Sequence, residues 1–336
     1  MKTLSLEDVS AKPGTKAFGN LKVAEHPDGS PEKLAFILAN GAKEGPCLWI
    51  TGCEHGDETL ATATIIEFMS RLDPRKVKGS VVAFPVLDST AFNVKRRYSP
   101  IDSYDLSRAY PGFKNGWLAQ QVTYRVTELM TESAQYVIDV HNGIPGILDV
   151  SPYCVATYAK KEEWESGLKD FTESFLFPKI IHWIGTSTER GARLSTMMST
   201  LMKRGIPSFV PEVGPDTKGG IRTGVRGFEN SLRYLGMLPG KALKLKKYHS
   251  FPDVIHIFPT HGGVFTSYVE LDEQVKAGQK IASIKNFNGD ITEELVSPAD
   301  GVIVVVWTNP VIGSGDFAAF EVATFKEFKK PWPGER

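Results

Sequence analysis

The first two thirds of the chain alternate short apolar runs with stretches whose apolar residues recur at helical spacing. Leu34 to Leu38, Cys47 to Thr51, Val81 to Leu87, Tyr136 to Val140, Val150 to Tyr158, Lys179 to Trp183 and Ser208 to Val213 read as strands. Several are continuously apolar, as strands covered on both faces are. Leu60, Thr64 and Phe68 lie four apart, as do Ala61, Ile65 and Met69, which predicts a helix over 59–72 that Asp73-Pro74 stops. Further helices are predicted over 117–134, 160–175, 192–203 and 228–235. Strands alternating with helices predict an α/β domain with a mostly parallel central sheet. Ligand sites in such sheets sit beyond the carboxyl ends of the strands.

After Leu238-Pro239-Gly240 and the basic run Lys241 to Lys247 the helical period disappears. Short strands separated by turn signals follow at 254–258, 263–269, 279–284, 293–296, 301–307 and 317–322. They predict a small C-terminal all-β, barrel-like domain, with the division at residues 1–245 and 246–336. Residues 88–116 carry no period but hold Phe92, Tyr98, Tyr104, Tyr110 and Phe113. A long loop so rich in aromatics reads as a functional segment and not as disorder.

Composition narrows the function classes. A chain of 336 residues exceeds one typical core, and its 41% hydrophobic and 23% charged shares are those of an ordinary globular protein. A net charge of +0 removes bulk attraction to nucleic acid or an anionic membrane, so neither is an expected partner. No apolar run is long enough to span a bilayer, and Met1 to Ala17 lacks an apolar signal core. Cys47, Cys53 and Cys154, an odd number without a Cys-x-x-Cys pair, fit a reducing, cytoplasmic compartment.

The candidate chemistry gathers at strand ends. In Gly52-Cys53-Glu54-His55-Gly56-Asp57-Glu58, at the junction of a strand and a helix, one turn of backbone can aim His55 and Glu58 at the same point. An imidazole and a carboxylate are two of the three protein ligands that a hydrolytic zinc commonly takes, with water in the fourth place. His141 follows Asp139 on a strand, where a period of two puts both on one side, so Asp139 can hold the imidazole in one tautomer. Glu212 follows Val210-Pro211 at a strand end and could move a proton from water to a leaving nitrogen. Arg96, Arg97 and Arg108 lie in the long loop, where a guanidinium can polarise a carbonyl or clamp a carboxylate. Each residue alone has a plainer explanation: a buried His satisfied by an Asp, a Glu in a surface turn, solvated arginines. Their shared position at the ends of neighbouring strands favours a common site.

Four segments in order, Gly-Cys-Glu-His-Gly-Asp-Glu at 52–58, Asp-Leu-Ser-Arg-Ala-Tyr-Pro-Gly at 105–112, Asp-Val-His-Asn-Gly at 139–143 and Glu-Val-Gly-Pro at 212–215, resemble the succinylglutamate desuccinylase/aspartoacylase family. The likeness covers roughly residues 30–240. It implies a zinc-carboxypeptidase-like domain with one zinc per chain held by His55, Glu58 and His141. It implies Glu212 as general base and then general acid, and a small N-acyl substrate. It implies Arg108 as anchor for a substrate carboxylate, and Arg97, with Arg96 as the alternative, as the group that polarises the carbonyl. Ser107 stands where the family usually has Asn, which alters the expected carboxylate pocket. The tail also resembles a biotinyl/lipoyl-type barrel, through Val275-Lys276-Ala277-Gly278-Gln279 and Ser297-Pro298-Ala299-Asp300-Gly301, without a modifiable lysine hairpin between them. It is therefore expected to shape the site and not to carry a cofactor. The expected function is zinc-dependent deacylation of an N-acyl amino acid. A peptide-cleaving metallocarboxypeptidase and a non-catalytic small-molecule-binding protein are the alternatives, and a homodimer is expected from base rates.

Overall fold

The computed structural model describes residues 2–184, 195–215, 217–316 and 318–326, except the side chain of Ile184. A nine-stranded sheet organises the first part of the chain. Its spatial order is His249–Phe251, Lys179–Ile184, Tyr153–Tyr158, Ser208–Glu212, Tyr136–Val140, Lys43–Gly52, Lys78–Phe84, Pro31–Asn40 and Thr15–Glu25. The neighbours are parallel except where Tyr153–Tyr158 meets Ser208–Glu212 and where Pro31–Asn40 meets its two partners. The expected α/β architecture is therefore present, as a mixed sheet whose centre is parallel.

Helices cover both faces. Thr59–Arg71 and Thr217–Tyr234 pack on one face through Ile65, Phe68, Phe228 and Leu232. Leu118–Ser133 and Met197–Met202 pack on the other through Val122, Val126, Met198 and Leu201. Helix Thr217–Tyr234 begins well before the predicted 228–235. Its glycines hid it, because glycine disfavours helix by about 1 kcal/mol relative to alanine. Packing reverses that preference: a Cβ on Gly224 would stand 2.5 Å from the Thr64 Cγ2 of the neighbouring helix. The helix predicted over 160–175 is broken into Lys161–Glu163, a widened turn Trp164–Leu168 and Lys169–Glu173, with Gly167 at φ 125°. The segment 88–116 contains a short helix, Ser89–Val94, that periodicity did not reveal. Of the helix predicted over 192–203, residues 197–202 are helical and 192–194 lie outside the described residues.

From residue 253 onward the described strands form two small antiparallel sheets. Asp253–Ile257, Phe320–Thr324, Gly301–Trp307 and Gln274–Val275 make one; Ile291–Val296, Lys280–Lys285, Gly263–Ser267 and Val311–Ile312 make the other. They share a core built from Val275, Ile281, Ile284, Ile303, Phe320 and Val322. One strand crosses the division. Leu148–Val150, from the α/β part, pairs antiparallel with Gly301–Trp307, with Val150 opposite Val305.

Candidate active site

Strand Lys43–Gly52 ends in a tight loop at the carboxyl edge of the sheet. Cys53 takes φ 54°, and the Glu58 amide donates to the His55 carbonyl at 3.1 Å, so His55 and Glu58 share one turn. Gly56 is required there: a Cβ would come within 2.0 Å of the Ala91 backbone. Glu58 occupies the cap position of helix Thr59–Arg71, whose positive end favours a carboxylate. Two strands away in sequence, Tyr136–Val140 delivers Asp139 and His141. The His141 amide donates to the Pro211 carbonyl and the Val213 amide to the His141 carbonyl, which sets His141 directly beside Glu212. The Asn142 side chain accepts from the Ala61 amide at 2.8 Å and ties this loop to the helix that follows Glu58.

Glu58 lies between the two imidazoles. His55 Nδ1 is 2.5 Å from one of its oxygens and His141 Nδ1 is 2.9 Å from the other. The far nitrogens have carboxylates of their own. His55 Nε2 is 3.2 Å from Asp105 Oδ1, and His141 Nε2 is 3.0 Å from Asp139 Oδ2. Asp139 also accepts from the Thr51 hydroxyl at 2.7 Å. Ligand atoms of His55, Glu58 and His141 all lie within 4.8 Å of one another, and all three residues are buried. Two imidazole nitrogens and a carboxylate oxygen, each imidazole braced from behind, form a donor set that fits zinc. These residues could hold a metal ion.

Glu212 lines the same cavity, and burial pushes its carboxyl up to about 8; the charges of Glu58 and Glu321 add to that, while His141 and His55 oppose it. Arg97 also lines the cavity, with ion-pair distances of 3.6 Å to Glu58 and 3.4 Å to Asp105. Arg96 is exposed and does not reach the cavity. Arg108 faces the cavity with no ion-pair partner among the described residues. Ser107 is buried on the cavity wall, and its hydroxyl donates to Asp105 at 2.7 Å. The structure thus gathers His55, Glu58, His141, Asp139, Glu212, Arg97, Ser107 and Arg108 in one place and leaves Arg96 out.

Sequence reasoning missed four participants. Asp105 opens the 105–112 segment, yet nothing local connects it to His55. Glu54, beside His55 in the first motif, is buried with its carboxylate 3.5 Å from His141 Nε2. His256 and Glu321 come from the C-terminal sheets and, together with Val254 and Val305, line the same cavity of about 190 Å³.

Residues 44–225 match the Succinylglutamate desuccinylase/Aspartoacylase catalytic domain, which is more than half of the chain. The chain belongs to the succinylglutamate desuccinylase/aspartoacylase family, a family of deacylases. It is similar to N-alpha-acetyl-L-2,4-diaminobutyric acid deacetylase of Halomonas elongata, with 26% identity over 286 residues that cover 82% of each chain. Two solved structures share the fold. The product-bound ectoine utilization protein of Ruegeria pomeroyi superposes with a TM-score of 0.80 at 20% identity, covering 95% of this chain and 100% of that one. A succinylglutamate desuccinylase/aspartoacylase from Rhodobacter sphaeroides gives 0.80 at 21% identity, covering 93% and 96%.

Proposed function

We propose that this protein is a zinc-dependent amidohydrolase, with one zinc per chain, that removes the acyl group from an N-acyl amino acid. The observation that carries this reading is the convergence of His55 Nδ1, Glu58 and His141 Nδ1 beside Glu212 and Arg97 in one cavity. Zinc held by these three residues would supply Lewis acidity at the scissile carbonyl and would lower the pKa of a bound water. Asp139 and Asp105 hold the two imidazoles by their far nitrogens, so that both Nδ1 lone pairs face the same point. Glu212 takes the proton of the attacking water and returns it to the departing nitrogen. Arg97 donates to the carbonyl oxygen as charge develops there, and Arg108 clamps the substrate carboxylate. Ser107 braces Asp105 and shares the carboxylate wall.

The C-terminal residues on the cavity wall favour a small substrate over the peptide of a metallocarboxypeptidase. The deacetylase activity named for the Halomonas elongata relative supports the same choice. The presence of the full donor set together with Glu212 speaks against a purely binding role. Metal analysis paired with a screen of N-acetyl, N-formyl and N-succinyl amino acids, with and without chelator, tests the proposal. One zinc per chain and chelator-sensitive deacylation are expected; metal-free protein or chelator-resistant turnover would overturn it. Cytoplasmic residence and homodimerisation are part of the same proposal. The three cysteines, all buried and unpaired, support the first, and light scattering tests the second. Among the described residues no helix is long and apolar enough to cross a membrane.

A further inference from the structure

The cavity has two kinds of lining. Around His55, Glu58 and His141 it is polar, with Glu212, Arg97 and Arg108. Next to Glu212 on the large sheet it turns apolar. Ile181 sits opposite Val155, and Val155 opposite Val210, across neighbouring strands. Paired residues project to one face of a sheet, so these side chains form a row. All three line the cavity. Val210 and Glu212 are two apart on Ser208–Glu212, so the row ends beside the proposed base.

The C-terminal sheets add a second row. Val150 sits opposite Val305, Val305 opposite Glu321, and Glu321 opposite His256. All four line the cavity as well. The two polar members engage each other, with His256 Nδ1 2.7 Å from Glu321 Oε1. The two valines belong, with Val254, to the same apolar cluster as Val155 and Ile181, and Val210 packs against that cluster. Both parts of the chain therefore contribute to one apolar surface that reaches the cavity of the candidate metal ligands. Part of it is left uncovered: Ile144 and Val210 pack on the cluster and line the cavity, yet both are only partly buried. An apolar group laid on such a surface gains free energy in proportion to the area it covers. A charged group placed there would lose its water without finding a partner among these valines and isoleucines.

We propose that this surface is an apolar subsite, so that the preferred substrate is an N-acyl amino acid with an aliphatic group in its acyl chain or its side chain. The assignment rests on the deacylase reading and deepens it. The amide lies at the metal ligands and Glu212, and the aliphatic group covers Ile144 and Val210.

The test measures kcat/KM of the zinc-loaded enzyme along two series. One lengthens the side chain, from N-acetylglycine through N-acetyl-L-alanine and N-acetyl-L-2-aminobutyrate to N-acetyl-L-norvaline. The other lengthens the acyl chain, from N-acetylglycine through N-propionylglycine to N-butyrylglycine. At least one series should rise about fourfold per methylene, and the one that rises names the end of the substrate that occupies the subsite. A charge at that end should reverse the gain. N-acetyl-L-aspartate should fall below N-acetyl-L-norvaline in the first case, and N-succinylglycine below N-butyrylglycine in the second. Val210→Thr, which puts a hydroxyl in place of a methyl, should reduce the rise per methylene. Two flat or falling series, or a charged compound that matches its neutral counterpart, would overturn the assignment. So would an unchanged rise, or an equal loss on every compound, in V210T. Calorimetric titrations with glycine against L-norvaline, and with acetate against butyrate, read the subsite without turnover. Discrimination there without hydrolysis would retain the subsite and refute the deacylase reading; hydrolysis without dependence on chain length would do the reverse. If V210T does not fold, the wild-type series decide alone.

Discussion

The two walls of the cavity are built by different means. The wall of candidate metal ligands comes from the carboxyl ends of Lys43–Gly52, Tyr136–Val140 and Ser208–Glu212 and the turns that follow them, where each candidate side chain sits in a short motif. The wall contributed by the C-terminal sheets comes from the faces of regular antiparallel strands, where Glu321 and His256 meet only because register brings them opposite each other. Loops at sheet ends can aim several groups at one point, which chemistry needs. A strand face offers a flat row at fixed spacing, which suits reading the far end of a substrate. On this view catalysis and selectivity are separable, and substitutions should sort accordingly.

The largest effect should come from Glu212→Gln, which should lower kcat by about 10²- to 10⁴-fold while bound zinc and relative substrate preference stay unchanged. Loss of zinc in that variant, seen by metal analysis, would merge the base with the ligand set and break the comparison. Asp139→Asn and Asp105→Asn should each weaken zinc affinity by about 10- to 100-fold, measured by competition with a chromogenic chelator, again without altering substrate preference. Wild-type affinity in Asp105→Asn would remove Asp105 from the metal wall. Gly56→Ala should destabilise the protein by about 1–3 kcal/mol in denaturant melts, because its Cβ would overlap the Ala91 backbone.

The last effect lies outside both walls and touches neither metal affinity nor substrate preference. His182 packs edge-on against Trp164 and bonds the Tyr158 hydroxyl at 3.1 Å, and burial lowers its pKa from 6.5 to about 4. The unfolded chain therefore binds this proton more readily than the folded one, so stability should fall as pH drops from 6.5 to about 4 and level off below that. His182→Phe should flatten that limb of the stability profile while zinc affinity is unaffected. An unchanged slope would show that the imidazole is not held neutral.

The contrast between the walls also explains what the sequence reveals. His55, Glu58, His141 and Glu212 lie within a few residues of apolar runs whose ends can be read directly, so both their strand-end position and their convergence follow from local pattern. The choice between Arg97 and Arg96 does not, because it depends on a helix, Ser89–Val94, too short to show a period. That helix closes on Lys95 in a left-handed conformation, and only then is Arg97 turned inward. Asp105 was visible in its segment but not its contact with His55, which is tertiary. Glu321 and His256 each sit among apolar residues in a short strand that also holds one other polar residue, Thr324 or Asp253, a pattern that many surface strands share. Their meaning lies in register, which is set by partners distant in the chain.

Strand Leu148–Val150 belongs to the α/β part by sequence and to the C-terminal sheets by pairing. It follows His141 after one short loop, and its Val150 begins the row that ends at Glu321 and His256. The separation between the His55, Glu58 and His141 cluster and the Glu321–His256 pair is therefore set by a single stretch of backbone, like a ruler clamped at both ends. Lengthening or shortening the loop at 142–147 should change that separation, and with it the size of substrate the cavity accepts, while His55, Glu58 and Glu212 stay where they are.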